Sequence, residues 1–361
     1  MDVEALVAQV RAEPTRRDEL LPLLHEGHPV YDGRGESAAL RTRGWVMAAY
    51  ESVGLPAGAV PAVLETLRTA LDPFAVAAAA RAARGAAAPN PDLSTALVTA
   101  LVGMRGRDDS VSFAGLRQRW PDPAATTALT EVLRTLRALG SAAHCVHTDL
   151  LEARRLHAPT WSPGVRAELD AAIEATARAP MSLTELAPAP YTSPAPAGAG
   201  DIGSVRLEDQ ASATTTFAEL FGGRRHVVAF FYTRCGNPAK CSATVTRLAE
   251  LATQLPTVLP RADVGVVGIS YDPGYDTPER LAAYGTARGM PFSDAVRLLR
   301  APVGHAALRE HFDLLVGYSG GLVNQHGVEL YLVGADGRTE HAWTRISWTV
   351  EEVLEVLGRQ P

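Results

Sequence analysis

The chain has 361 residues, of which 47% are hydrophobic and 20% are charged. This length exceeds one ordinary hydrophobic core, so we expect two domains, and the composition is typical of a soluble globular protein. A formal net charge of -6 at pH 7 gives no electrostatic reason to expect nucleic acid or an anionic membrane as a partner.

The first residues and the cysteine content bear on location. Acidic residues stand at positions 2 and 4 and no long apolar stretch follows, so we predict no secretory signal peptide. No stretch approaches the roughly 20 apolar residues that are needed to span a bilayer. Three cysteines are too few for a disulfide scaffold. We therefore expect a cytoplasmic protein with reduced thiols and no membrane partner.

Residues 1–160 have the pattern of consecutive helices separated by short polar breaks. Asp72-Pro73 and Asp122-Pro123 each pair an N-cap residue with a proline at the first helical position, and a glycine closes each helical run. Similar segments recur 34 and 32 residues apart, namely VLETL (63–67), LVTAL (97–101) and LTEVL (129–133). This period predicts an α-solenoid or, alternatively, a compact irregular helical domain. The segment resembles HEAT-like helical repeats.

The helical half also contains His144, Cys145 and His147, with His157 further along the chain. On a helix, residues 144 and 147 share one face, which is a spacing that a soft metal could use. No carboxylate or second thiol stands at ligand spacing, so we interpret these residues as structural or surface positions. We expect the helical domain to offer a surface to a protein partner.

A change in composition marks the boundary between domains. A short helix is predicted at about Val165 to Arg178, and it leads into APAPYTSPAPAGAG (187–200), whose composition is typical of an extended linker. We therefore predict an all-α domain at 1–160, a short helix and linker at 161–200, and a second domain at 201–361.

The second domain alternates predicted strands and helices before a late hairpin. The apolar runs 227–232 and 264–273 predict buried strands, and a helix is expected after each run. Residues 290–318 show no regular pattern apart from the helical segment VGHAALREHF (303–312). Strands at 329–333 and 338–343 flank a turn at 335–337, and a helix closes the chain. This order predicts a thioredoxin-like α/β sandwich.

Two cysteines follow the first buried strand, in the phrase FFYTRCGNPAKC (230–241). Six helical residues rotate by about 240° net, so the sulfur atoms of Cys235 and Cys241 cannot point the same way from one helix. We therefore predict that Asn237 caps the helix and Pro238 begins it, which leaves Cys235 in the loop and Cys241 in the first turn. Gly236 is expected to let the loop fold back, so that the two sulfur atoms converge.

Lys240 is the one lysine of the sequence and lies beside Cys241, near the predicted helix N-terminus. Both features stabilise a thiolate, so we expect a lowered pKa at Cys241 or Cys235. We expect the lysine itself to serve surface solubility.

Three phrases of this domain resemble the SCO/SenC family of thioredoxin-fold copper-binding proteins, namely FFYTRC (230–235), ISYDPGYDTPERLAAY (269–284) and HGVELYLVGADGR (326–338). The second phrase contains the family's Ser-x-Asp-Pro-x-x-Asp-Thr-Pro signature, and the third has a histidine at the family's spacing. The resemblance implies a copper site formed by Cys235, Cys241 and His326. Within the signature, we expect Asp272 and Asp276 to shape the loop rather than to catalyse.

Two features depart from the family pattern. The family's cysteines are separated by three residues, whereas five residues separate Cys235 from Cys241. Gln325 stands where an aspartate commonly precedes the histidine, and this change is expected to alter how the imidazole is oriented.

Three functions are consistent with these residues. Soft thiolates and an imidazole suit copper, so the leading hypothesis is a protein that holds copper or delivers it to a partner. The second hypothesis is a metal-independent thiol–disulfide oxidoreductase with Cys235 and Cys241 as catalytic residues. The third is an assembly scaffold without catalytic activity.

Overall fold

The computed structural model describes residues 2–88, 90–117, 121–178, 202–260, 263–345 and 348–359. The chain divides into two compact units, Met1–Tyr191 and Thr192–Pro361. The predicted linker at 187–200 lies outside the described residues. Across the described ranges, no helix combines the length and the apolar character needed to cross a membrane.

The N-terminal unit is built from helices around one apolar core. The helices are α1 (Val3–Ala12), α2 (Glu36–Val53), α3 (Val60–Thr69), α4 (Pro73–Arg84), α5 (Pro91–Gly103), α6 (Ala128–Leu139), α7 (His147–Leu156) and α8 (Pro163–Thr176). Short 3-10 helices lie at Pro14–Leu24, Pro29–Tyr31, Ala57–Ala59, Gly140–Val146 and Ala158–Thr160. The three segments of the predicted period lie in α3, α5 and α6, and the HEAT-like arrangement stays a prediction.

One of the two predicted helix starts is wrong. The Asp72 side chain accepts a hydrogen bond from the Ala75 N–H (3.0 Å), and α4 begins at Pro73 as expected. Asp122 instead accepts a bond from Ala124 N–H in a turn, and α6 begins only after Thr127. The intervening threonines form a strand, β2 (Thr126–Thr127), which pairs with β1 (Ser110–Val111). Strand pairing, which suits β-branched residues, overrides the local start signal.

The C-terminal unit contains one large sheet with helices on both faces. Its elements are β3 (Arg206–Asp209), β4 (Thr214–Thr216), α9 (Phe217–Phe221), β5 (Arg225–Phe231), α10 (Ala243–Val258), β6 (Val264–Ser270), α11 (Pro278–Thr286), β7 (Val296–Arg300), α12 (His305–His311), β8 (Val316–Ser319), β9 (Leu322–His326), β10 (Glu329–Val333), β11 (Thr339–Thr344) and α13 (Val350–Arg359). The sheet order is β11-β10-β5-β6-β7-β3-β4, and β8 and β9 form a separate hairpin. The predicted thioredoxin-like fold is confirmed.

Alternate residues of the central strands enter two apolar clusters on opposite faces of the sheet. In β5, Val227, Ala229 and Phe231 belong to the cluster that includes α10 and α13, whereas Val228 and Phe230 belong to the other cluster. Since successive side chains of a strand point to opposite faces, a strand that is covered on both sides must be apolar throughout. This explains the unbroken apolar runs in the sequence.

The region predicted to be irregular, 290–318, contains more structure than expected. Strand β7 pairs in parallel with β6, and β8 begins the hairpin that ends at His326. Gly320 and Gly321 form the two-residue turn of this hairpin, with φ values of 57° and 80°. A two-residue turn with positive φ at both positions favours glycine, so the Gly-Gly pair was a usable hairpin signal.

The strand directions bring three chain segments to one edge of the sheet. Strands β5 and β6 are parallel, so the segments that follow Phe231 and Ser270 leave at the same edge. Strand β10 is antiparallel to β5, so the residues that precede Glu329 arrive at that edge too. These are the segments that carry the cysteines, the aspartates of the family signature and His326.

The packing of α10 against the sheet generates a stability prediction. Leu248 of this helix is fully buried, whereas Val258 is 52% exposed. We expect Leu248→Ala to lower the free energy of unfolding by about 2–5 kcal/mol because it leaves a cavity. The control Val258→Ala should change it by less than about 0.5 kcal/mol. Guanidinium unfolding followed by circular dichroism measures both, and equal losses would contradict this description of the core.

Candidate metal centre

Cys235 lies in a loop that an aspartate from the neighbouring strand end holds in place. The Asp276 carboxylate accepts hydrogen bonds from the Thr233 backbone N–H (3.2 Å), from the Thr233 hydroxyl (2.5 Å) and from the Ser270 hydroxyl. Beside it, the Arg234 guanidinium donates to Asp272 at 2.8 Å. Burial raises the pKa of Asp276, and the hydrogen bonds that it accepts oppose this rise. These contacts agree with the loop-shaping role that we expected for both aspartates.

Cys241 lies in the first turn after a capped helix start. The Asn237 side chain accepts a hydrogen bond from the Ala239 N–H (3.0 Å), and Pro238 begins a π-helical turn, Pro238–Ser242, that runs into α10. Cys241 is buried and Cys235 is half-buried. The predicted arrangement of loop and first turn is therefore present, with a π-helical turn accommodating the longer spacing.

Gly236 does not have the role that we expected. Its φ lies outside the left-handed region, and a Cβ atom at this position would meet no atom within 4 Å. The loop folds back without the conformational freedom of glycine, because the Asp276 contacts and the Asn237 cap already fix its course.

His326 is the last residue of β9, not part of the β10–β11 hairpin. Its Nδ1 lies 2.8 Å from the Gly327 carbonyl oxygen. A carbonyl oxygen can only accept, so Nδ1 carries the proton and the lone pair of a neutral ring lies on Nε2. The ring is packed edge-on against Tyr232, with centroids 5.2 Å apart, and lies 5.7 Å from the Tyr271 ring. The imidazole is therefore held in one orientation.

The two sulfur atoms and the imidazole converge. Nε2 of His326 lies 3.3 Å from Cys235 Sγ and 3.8 Å from Cys241 Sγ. The three atoms all lie within 4.8 Å of one another. Among the residues that the structure describes, this is the one group of three or more histidine, cysteine or acidic side chains close enough to hold a metal ion.

The two thiols differ in acidity. A hydrogen bond from Cys241 is the largest of the interactions that hold the pKa of Cys235 well below its usual range. Burial raises the pKa of Cys241, and its proximity to the Cys235 thiolate raises it further. We expected a lowered pKa from Lys240, and the lysine does act in that direction on Cys241, but burial outweighs it. In the reduced pair Cys235 is the thiolate, and Cys241 donates to it.

Lys240 is not a surface residue that serves solubility. Its Nζ donates a hydrogen bond to the His326 carbonyl oxygen at 2.6 Å, and its side chain is half-buried. It therefore connects the cysteine segment to the histidine segment.

A buried glutamate near the site was missed by sequence reasoning. Glu329 is fully buried and accepts hydrogen bonds from the hydroxyl groups of Tyr271 and Tyr331 and from the Leu315 N–H. It thereby fixes Tyr271, which packs beside the His326 ring. The available signal was an acidic residue at the start of the apolar run ELYLV.

The histidines of the helical unit have structural contacts. Nδ1 of His144 lies 2.8 Å from the Thr176 carbonyl oxygen, and Nδ1 of His147 lies 3.1 Å from the Thr176 hydroxyl. Cys145 is exposed. These contacts agree with the structural interpretation of this cluster.

Residues 201–359 match the family model described as SCO1/SenC. This match confirms the resemblance of the C-terminal half to that family, and α1 to α8 lie outside the matched range. Comparison with curated proteins gave no match.

Several solved structures are similar to the C-terminal half. A SCO1/SenC family lipoprotein from Bacillus anthracis is 24% identical, and the match covers 44% of this chain and 94% of that chain with a TM-score of 0.38. ScoI from Bradyrhizobium japonicum, solved with copper bound, is 24% identical over 44% of this chain and 99% of that chain, with a TM-score of 0.36. BsSco, described as a member of the Sco family of cytochrome c oxidase assembly proteins, is 20% identical. The match covers 45% of this chain and 94% of that chain, with a TM-score of 0.37.

The lowered pKa of Cys235 predicts its reactivity in the reduced, metal-free protein. The thiolate is the nucleophile, so alkylation of Cys235 by iodoacetamide should slow less than about threefold between about pH 8 and pH 6. Cys145, whose pKa is raised by partial desolvation, is the internal control, and its alkylation should slow about 100-fold. Cys241→Ala should move the Cys235 profile to higher pH, because it removes the hydrogen bond. Peptide mass spectrometry measures the rate of alkylation at each cysteine. The same pH dependence at Cys235 and Cys145 would contradict the assignment of Cys235 as the thiolate.

Proposed function

We propose that the C-terminal domain binds copper through Cys235, Cys241 and His326, and that the protein holds this copper or delivers it to a protein partner. The observation that carries the proposal is the convergence of two thiol sulfur atoms and one imidazole nitrogen within 4.8 Å, from segments that lie far apart in the sequence. The SCO1/SenC match over residues 201–359 supports it.

The donor set fits copper better than it fits other common metals. Thiolates are soft ligands that select Cu(I), and imidazole accepts both Cu(I) and Cu(II), whereas Ca²⁺ and Mg²⁺ prefer oxygen ligands. The Gly327 carbonyl fixes the ring so that Nε2 faces the sulfur atoms, which is the usual outer support of a metal-binding histidine. Copper would displace the Cys241 proton, so binding should release protons. The copper reported for the Bradyrhizobium ScoI structure is consistent with this assignment.

Delivery requires a second protein that accepts the copper. Cys235 is half-buried rather than enclosed, so an incoming ligand from a partner can reach the site. BsSco is described as a member of the Sco family of cytochrome c oxidase assembly proteins, and a protein that accepts copper during an assembly of that kind is the class of partner that we propose. We further propose that the helical domain contributes to partner docking and that the protein acts in the cytoplasm.

A thiol–disulfide oxidoreductase is the second candidate, and the unequal thiols favour it. The Cys235 thiolate would attack a substrate disulfide, which breaks that bond, forms a mixed disulfide and releases one substrate thiolate. Cys241 would then lose its proton and attack Cys235, which forms the Cys235–Cys241 disulfide and releases the second substrate thiolate. Two electrons pass from the protein dithiol to the substrate disulfide.

Copper stoichiometry tests the leading proposal. Anaerobic titration with Cu(I) against a competing chelator should give one copper per wild-type chain. Cys235→Ala, Cys241→Ala and His326→Ala should each weaken binding by more than about 100-fold, since even loss of an outer-shell contact weakens a metal site by 10–100-fold. Cys145→Ala is the matched control and should bind as the wild type does. Equal stoichiometry and affinity in wild type and Cys241→Ala would refute the site.

His326→Ala separates the two candidate functions. If copper binding is the function, this variant should lose high-affinity copper. If disulfide exchange alone is the function, the variant should keep at least about a third of the wild-type rate of reduction of a model disulfide peptide, and the wild type should bind no copper in the chelator assay. A variant that loses copper and retains exchange would assign the histidine to the metal.

A further inference from the structure

Lys240 is placed at the candidate metal centre by the part of the sequence that departs from the family pattern. The loop between the cysteines is two residues longer than the family's, and Lys240 lies within it, in the π-helical turn Pro238–Ser242. At Lys240 the backbone leaves the helical range, with φ of -107° and ψ of -106°. The side chain then reaches the His326 carbonyl oxygen, 2.6 Å from Nζ.

Lys240 immediately precedes Cys241 in the chain, and its charged ammonium group donates a hydrogen bond to the His326 carbonyl oxygen. Lysine carries a compact point charge, and a half-buried position screens it less than open solvent does. A second cation, Arg288, donates to the Ser242 hydroxyl at 3.1 Å and lies over the Tyr284 ring. Arg234 pairs with Asp272, and Asp276 is held by the hydroxyl groups of Ser270 and Thr233.

We propose that Lys240 biases copper bound at Cys235, Cys241 and His326 towards Cu(I). This inference rests on the proposed function. Two thiolates and Cu(I) carry a net charge of about -1, and with Cu(II) they carry none, so a nearby cation stabilises the Cu(I) form relative to the Cu(II) form. The sign of this effect does not depend on the neighbouring carboxylates, because their charges are the same in both oxidation states. The only change between the states is one electron on copper.

A purely structural role for Lys240 makes a different prediction. A hydrogen bond to the His326 carbonyl would hold the two segments together equally well if a neutral group donated it. Lys240→Gln can donate a hydrogen bond without charge, Lys240→Arg keeps the charge, and Lys240→Met removes both. These three variants separate the electrostatic role from the tethering role.

The test is the midpoint potential of bound copper, measured by spectroelectrochemical titration of the copper-loaded full chain. We expect Lys240→Gln and Lys240→Met each to lower the ratio of Cu(I) to Cu(II) affinity by about tenfold, which corresponds to a potential lower by about 59 mV for one electron. Lys240→Arg should stay within about threefold of the wild-type ratio. The control Arg338→Gln removes a charge whose side chain is 88% exposed, and it should leave the potential unchanged.

The outcomes distinguish a failure of the role proposed for Lys240 from a failure of copper binding itself. An unchanged potential in Lys240→Gln with a lowered one in Lys240→Met would assign a tether and overturn the electrostatic role. Unchanged potentials in both would overturn any role of Lys240 in tuning. A wild type that binds no copper would refute the proposed function and this inference together. Partial misfolding of a variant does not confuse the measurement, because the potential is read only from molecules that hold copper.

Discussion

The candidate site depends on the way three strands end at one edge of the sheet. Strands β5 and β6 are parallel, so the segments that follow them begin at this edge. Strand β10 is antiparallel to β5, so the segment that precedes β10 lies at the same edge. Ligands at the carboxyl ends of parallel strands are a general property of such sheets. No single segment supplies the donor set, and the fold itself is what brings Cys235 and His326 within 3.3 Å.

Around this edge, contacts between polar groups restrict the donor atoms. Asp276 holds the loop before Cys235, the Gly327 carbonyl orients His326, and Glu329 fixes the tyrosine beside the imidazole. Buried carboxylates are costly unless they are hydrogen-bonded, and each of these accepts at least two hydrogen bonds. The result is a site whose three donor atoms are held within 4.8 Å of one another.

The sequence was sufficient for features that depend on local rules. The apolar run at 227–232 predicted β5, and the Asn237-Pro238 pair predicted the capped start that places Cys241 in the first turn. The bond from Lys240 to His326 joins residues 86 positions apart and could not be read from either segment. The start of α6 was misplaced because strand pairing overrode an adequate local signal. The β8–β9 hairpin was missed because its strands mix polar and apolar residues, although Gly320-Gly321 marked its turn.

The central claim is that Cys235, Cys241 and His326 together bind one copper ion. X-ray absorption spectroscopy of the anaerobic Cu(I)-loaded chain tests it most directly, because it counts the sulfur and nitrogen atoms bound to the metal. We expect two sulfur atoms and one imidazole nitrogen in the wild type, and loss of the imidazole signal alone in His326→Ala. A wild-type spectrum with one sulfur atom, or one identical to that of His326→Ala, would contradict the claim.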